Sequence, residues 1–226
     1  MFDTIKGQLI VSCQALEEEP LYGAETMAKM AKACVQGGAK AIRANGMEDI
    51  RAIKKAVDVP VIGIIKRDYP DSEIHITPSE KEIQELLSTD CEIIAMDATF
   101  RHRPNGEELA DLLQLVHQHK RYAMADISTL EEAISAQALG FDLVATTLSG
   151  YTSYSPRLDG PDFKLIKLCV KALHIPLIAE GKITDRLTLK KVLACRPYSV
   201  VIGGAITRPQ LIAKQFVSVM NDEKKH

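Results

Sequence analysis

The sequence predicts an α/β fold, a single (β/α)8 TIM barrel covering residues 1–226, and three observations carry that prediction. Eight short apolar runs recur along the chain, each stopping at a polar or glycine residue. Amphipathic stretches of helical period fill the intervals between them. The chain has 226 residues and is 46% apolar, which suits one barrel with a full core.

The runs, in order, are LIVSC (9–13), AKAIR (39–43), VPVIGII (59–65), CEIIAM (91–96), RYAMA (121–125), DLVATT (142–147), IPLIA (175–179) and SVVIGG (199–204). They stop at Gln14, Arg43, Lys66, Asp97, Asp126, Thr147, Glu180 and Gly203. Alternation of strand and helix makes the strands parallel and gathers their C-terminal ends on one face, where barrels carry their chemistry. Helices are expected over 23–36, 47–57, 79–88, 106–119, 129–139, 162–173, 184–194 and 208–221. In the first of these Met27, Met30, Ala31, Cys34 and Val35 share a face, and Gly37-Gly38 supplies the stop. Ser79 followed by Glu82 predicts a capping box, and Asn105-Gly106 precedes another helix start. The connections at 66–78 and 97–105 are long, as loops that touch substrate tend to be. A doubly wound open sheet would alternate in the same way, but its usual GxGxxG after the first strand is here SCQALEEEP.

Composition narrows the partners. Lys and Arg number 28 against 30 Asp and Glu, with no basic stripe, so neither nucleic acid nor a membrane surface is expected. No run approaches the roughly 20 apolar residues of a membrane span, the N-terminus does not read as a secretory signal, and a cytoplasmic location is expected. Cys13, Cys34, Cys91, Cys169 and Cys195 are scattered and without a CxxC, which reads as reduced core residues. His117 and His119 are two apart on a helix, and His75 and His102 stand singly in loops, so no metal-ligand set is expected.

The ends of the runs are the candidate site. Lys66 follows GII, where burial would lower its pKa towards that of a neutral base or Schiff-base nucleophile; a snorkelling or ion-paired lysine is the plainer alternative. Glu180 and Asp126 emerge as lone carboxylates from apolar runs and need a partner, for which Arg43 is available; a structural ion pair would account for any one such pairing. Four ionisable groups on four strands fit an acid/base site better. In VVIGGAITRPQ, the Gly203-Gly204 turn and a helix opening at Thr207-Arg208-Pro209 suit a dianionic phosphate. Gly181 and Lys182 form a second such turn after the seventh run, and Arg208 could add a charged hydrogen bond.

These segments, IVSCQ, IRANG, PVIGIIKR, MADIS, TTLSGYT, IAEGKI and VVIGGAITRP, resemble in order and spacing the bacterial N-acylglucosamine-6-phosphate 2-epimerases over essentially the whole chain. The resemblance implies conversion of N-acetylmannosamine 6-phosphate to N-acetylglucosamine 6-phosphate in sialic acid degradation, on a barrel without metal or organic cofactor. It implies Lys66 as the catalytic lysine and Glu180 as the second acid/base candidate. Gln14, Arg43 and Asp126 would hold the sugar, and Gly181, Lys182, Gly203, Gly204 and Arg208 its phosphate. Asp97, Thr147 and Tyr151 are neighbours that could contact it.

Inverting carbon 2 of such a sugar requires a base for its proton and donors for the oxyanion that forms once the ring has opened to the aldehyde. Two other functions fit the same residues: a Schiff-base lyase or aldolase acting on a sugar phosphate, and a non-catalytic sugar-phosphate-binding barrel. A homodimer through the C-terminal helix is also expected, partly from the resemblance. Ile212, Phe216, Val217 and Val219 give that helix a broader apolar face than a terminal helix in water needs.

Overall fold

A computed structural model gives the fold and describes residues 1–223. Eight parallel strands close into a barrel in sequence order: β1 (Leu9–Cys13), β2 (Ala41–Asn45), β3 (Val61–Ile64), β4 (Ile93–Asp97), β5 (Tyr122–Asp126), β6 (Leu143–Ala145), β7 (Leu177–Glu180) and β8 (Ser199–Ile202). The register Leu9↔Val200, Ile10↔Val201 and Val11↔Ile202 closes β1 on β8, which excludes the open doubly wound sheet. Helices α2 (Ala24–Gln36), α3 (Met47–Ala56), α4 (Glu80–Leu87), α5 (Leu109–Gln118), α6 (Leu130–Leu139), α7 (Phe163–Ala172) and α8 (Arg186–Leu193) follow the first seven strands in turn.

The period of two along each strand divides the core into two layers. Val11, Ile42, Ala44, Ile94, Ala123, Val144 and Val200 face outward into the layer between strands and helices. Ile10, Ala41, Ile62, Ile64, Ala95, Met124, Leu143, Ile178 and Val201 face inward and fill the barrel. Because both faces are buried, each strand reads as a nearly continuous apolar run. Gly63 marks the tightest outward contact: a Cβ there would lie 2.9 Å from Cys91 Sγ and 3.0 Å from Ile50 Cδ1, so α3 and α4 press directly on the β3 backbone.

The inward parity also selects the functional side chains. Arg43 follows Ala41 by two, Asp97 follows Ala95, Asp126 follows Met124 and Glu180 follows Ile178, so each continues the inward row, the three carboxylates at their strands' C-terminal ends. At the other end the short helix α1 (Phe2–Ile5), for which the apolar runs gave no signal, puts the fully buried Ile5 into the inner layer. The Ser79–Glu82 capping box forms at the start of α4, and a second one, Thr129–Glu132, opens α6.

Three boundaries differ from the expectation. β2 does not stop at Arg43 but continues to Asn45, which leaves Arg43 inside the barrel with 1% of its surface exposed. β3 stops at Ile64, and Lys66 instead forms an isolated antiparallel bridge with Ile76, so the β3–α4 loop folds back across the barrel mouth. After β8 the helix opens on the glycines themselves as α9 (Gly204–Thr207), and α10 (Pro209–Glu223) starts anew beyond Arg208. Proline at the first helical position and the extended Arg208 backbone account for the break. α10 packs mainly on α9, and Phe216, Val217, Val219 and Met220 stay exposed, with Phe216 at 71%. Among the described residues no helix is long and apolar enough to cross a membrane.

Candidate active site

The C-terminal mouth of the barrel holds a cavity of about 660 Å³. That volume lies in the ordinary range for small-molecule sites. Ser12, Gln14, Lys66, Asp97, Thr147 and Glu180 line its floor and walls, while Gly181, Lys182, Gly203, Gly204 and Arg208 line the side formed by the loops after β7 and β8. Of the residues expected to hold the sugar, Arg43 and Asp126 do not line it; they lie one layer below, at 1% and 0% exposure.

That lower layer is an ion network. Arg43 Nη2 donates to Asp126 Oδ2 at 2.5 Å, and Nη1 donates both to Asp126 Oδ1 at 3.0 Å and to Glu180 Oε2 at 3.1 Å. Thr147 Oγ1 lies 2.6 Å from Asp126 Oδ1 and 3.2 Å from Glu180 Oε2. Burial opposes charge on Arg43, yet Asp126 and Glu180 outweigh it and hold its pKa above the ordinary arginine value. The Glu180 pKa is raised as well: burial lifts it, against the pull of Arg43, and the neighbouring Asp126 adds to the rise. With both protein bonds on Oε2, Glu180 Oε1 has no hydrogen-bond partner among the described residues. Thr146 fixes the Glu180 backbone, donating through Oγ1 to its carbonyl at 2.8 Å and accepting its N–H at 3.1 Å.

Lys66 is held by its backbone only. Its N–H donates to Asn45 Oδ1 at 2.9 Å, while its Nζ makes no hydrogen bond or ion pair among the described residues. Burial lowers its pKa, as do the positive charges of Arg43 and Arg208; Glu180 and Glu19 work in the opposite direction. A partly buried ammonium without a partner stabilises nothing, so the plain reading of Lys66 as an ion-paired lysine does not describe it.

At the opposite wall Gly203 comes so close to β1 that a Cβ would lie 3.3 Å from the Ser12 Cβ. Gly204 has Arg208 Cδ packed alongside, where a Cβ would lie 3.6 Å from it. The first N–H groups of α9 lack intrahelical partners, as at any helix start. Gly181 has φ +114°, a left-handed conformation suited to glycine, which opens the second turn. Lys182 donates to the Leu158 carbonyl at 2.5 Å and lies 5.6 Å from the Tyr151 ring centre, so its charge is turned towards the β6–α7 loop. Gln14 Nε2 donates to Ser12 Oγ at 2.8 Å, which leaves its buried Oε1 without a partner at the cavity wall. Among the described residues no three His, Cys, Asp or Glu side chains gather in a way that could hold a metal ion.

A family model described as "Putative N-acetylmannosamine-6-phosphate epimerase" (NanE) matches residues 27–222. The chain belongs to this family. A relative of that 2-epimerase name from Clostridium perfringens is 57% identical over 97% of this chain and 100% of its own length. Another from Clostridioides difficile is 56% identical over 97% and 99%. The solved N-acetylmannosamine-6-phosphate 2-epimerase from C. perfringens superposes with a TM-score of 0.95 at 57% identity, covering 97% of this chain and 96% of that one.

In this NanE-family barrel several cavity residues escape a reading of strand ends. Glu73 and His75 come from the β3–α4 loop and Arg101 from the loop after β4. Arg101 Nη1 donates to the Glu73 carbonyl at 3.1 Å, a contact between loops, and within the β3–α4 loop Arg67 N–H donates to the His75 carbonyl at 3.0 Å. His75, which stands alone in the sequence, is paired through Nδ1 with Asp68 at 2.6 Å. Arg101 Nη2 also donates to the buried Asp97 at 2.5 Å, and Asp97 Oδ1 accepts from Thr99. No local pattern announces these partners; Asn45 alone had a signal, standing two residues beyond Arg43 on the inward row.

Proposed function

We propose that this chain interconverts N-acetylmannosamine 6-phosphate and N-acetylglucosamine 6-phosphate by removing and returning the proton on carbon 2, a step in sialic acid degradation. One observation carries the residue assignment: Lys66 Nζ stands in the cavity unpaired, with its pKa lowered, on the same wall system as the free Oε1 of Glu180. The names of the relatives at 56–57% identity support the substrate.

Lys66 in its neutral form takes the carbon 2 proton of the ring-opened sugar. Lowering its pKa raises the neutral fraction near neutral pH, which is what a general base needs. Glu180, with its pKa raised, retains a proton to higher pH than an ordinary carboxylic acid, so it can donate through Oε1 to the sugar. Arg43 and Thr147 hold Oε2 and thereby fix which oxygen is offered. Asp126 serves that function indirectly, by clamping Arg43 from beneath, and does not touch the sugar. Gln14 Oε1 offers an acceptor for the N-acetyl N–H or a hydroxyl. The turns at Gly181 and at Gly203-Gly204, with Arg208, take the phosphate and supply the binding energy that positions carbon 2.

The protein would act as a homodimer in the cytoplasm. Dimer formation through α10 covers Phe216, Val217, Val219 and Met220, which water otherwise meets. The deciding experiment is a proton NMR time course with N-acetylmannosamine 6-phosphate: appearance of the glucosamine epimer supports the proposal, and an unchanged spectrum with folded protein rejects it.

A further inference from the structure

The loop between β1 and α2 carries three consecutive glutamates, Glu17, Glu18 and Glu19; the first two are exposed and the third turns inward. Glu19 Oε2 accepts the Leu16 N–H at 2.8 Å and Arg208 Nη2 at 2.9 Å. Its Oε1 accepts Gln210 Nε2 at 3.0 Å and lies 2.8 Å from Arg208 Nε, at an angle too poor for a hydrogen bond. The Glu19 and Arg208 side chains are 17% and 28% exposed, so the pair is partly shielded from water. It spans the seam where β8 meets β1, joining a loop of residues 14–23 to a residue 189 positions away.

We propose that Glu19 is a positioning residue for the anion-binding end of the cavity, holding Arg208 in the orientation that receives the phosphate. This rests on the phosphate subsite of the proposed function. The carboxylate engages the Nε and Nη2 side of the guanidinium. Nη1 is left without a protein partner among the described residues, on a side chain that lines the cavity. A planar guanidinium held along one edge presents its remaining edge to an oxyanion, and an arginine held beforehand loses less rotamer freedom on binding. Among the described residues Glu19 is the carboxylate paired with Arg208, and on the β8 side Gly203 and Gly204 have no side chains to steer it. The negative charge of Glu19 subtracts from the attraction for phosphate. The N–H groups of the glycine turns supply attraction of their own, however, so what the arginine lacks without Glu19 is a fixed position.

A loop clip would also explain the Leu16 contact, and a double-mutant cycle separates the two roles. Inorganic phosphate is titrated calorimetrically into the wild type, Glu19→Ala, Arg208→Ala and the double variant, alongside steady-state kinetics with N-acetylmannosamine 6-phosphate. Positioning predicts that Glu19→Ala weakens phosphate binding and raises KM by about tenfold, with kcat changed by less than about twofold. In the Arg208→Ala background the same substitution should add less than about twofold. Equal effects in both backgrounds, or phosphate affinity unchanged or improved in Glu19→Ala, would overturn the assignment. If Glu19→Ala does not fold, Glu19→Gln carries the same comparison. Phosphate titration needs no turnover, so absence of epimerisation by the wild type would reject the proposed function and still leave the role of Glu19 measurable.

Discussion

Arg43 donates to Glu180 through the same Nη1 that holds Asp126, so one buried guanidinium ties the floor of the barrel to a carboxylate that faces the cavity. Removing Arg43 leaves the buried Asp126 without a cation, and removing Asp126 takes two of the three carboxylate hydrogen bonds from the buried Arg43. Loss of one member of such a pair typically costs about 3–5 kcal/mol. Asp126→Ala should therefore lower stability by about that amount and also let Arg43 and Thr147, which hold Glu180 Oε2, shift, reducing kcat even though Asp126 does not line the cavity. Denaturant unfolding beside kinetics checks this; an Asp126→Ala protein with wild-type stability would refute the clamp.

The shifts of Lys66 and Glu180 set the shape of a pH profile. A lysine base works only when deprotonated and Glu180 donates only when protonated, so kcat/KM must be bell-shaped in pH, with the Lys66 inflection below the ordinary lysine value of about 10.4. Lys66→Arg keeps the charge but cannot deprotonate in this range and should abolish turnover, as should Lys66→Ala. The unpaired Nζ means that neither substitution breaks a bond in the fold, so unfolding midpoints should stay close to wild type. Turnover like that of the wild type in Lys66→Arg would exclude the lysine as base.

Phosphate recognition predicts a split between binding and chemistry. Unphosphorylated N-acetylmannosamine would forfeit the contacts proposed at Gly181, Gly203-Gly204 and Arg208 and should be a very poor substrate. Arg208→Ala should raise KM for the phosphorylated sugar by about tenfold to a hundredfold, the scale of a lost charge-assisted hydrogen bond, with a smaller effect on kcat. Equal turnover of the two sugars would remove the phosphate site from these loops.

The barrel was legible in the sequence because strands buried on both faces lack polar interruptions until the inward row reaches the mouth. Asp97, Asp126 and Glu180 read as strand ends for that reason, and of these Asp97 and Glu180 line the cavity while Asp126 lies one layer below it. Arg43 was found as well but misplaced: its charge looks like the end of a run, whereas β2 carries it inward and continues through Ala44 to Asn45. The remaining wall was illegible for a different reason. Glu73 and Arg101 reach the cavity through a hydrogen bond between loops and His75 through the folding of its own loop, and in EEE no local rule distinguishes Glu19 from its two solvated neighbours.

The exposed face of α10 yields a prediction about assembly. Phe216 at 71% and Met220 at 63% exposure lie one turn apart, and their burial in a dimer would recover apolar area that the monomer leaves in water. Light scattering should give a dimer at micromolar concentration, and Phe216→Glu a monomer. A wild-type monomer would dispose of the dimer.

The isotopic course of the reaction tests the lysine-centred mechanism most directly. Once Lys66 has taken the carbon 2 proton, that proton shares an ammonium with two others, and all three exchange with solvent. A proton returned on the opposite face comes from a carboxyl or hydroxyl group that exchanges as well. In heavy water the product must therefore carry deuterium at carbon 2 and at no other carbon. Aldol cleavage between carbons 2 and 3 would make both carbons trigonal and could invert either on rejoining, but carbon 2 would keep its own hydrogen. It would also pass through a Schiff base on the same lysine that borohydride reduces to a covalent adduct, detectable by mass spectrometry. Deuterium at carbon 2 with no adduct is the expected result. Retention of the original hydrogen at carbon 2, or an adduct on Lys66, would overturn proton transfer as the reaction.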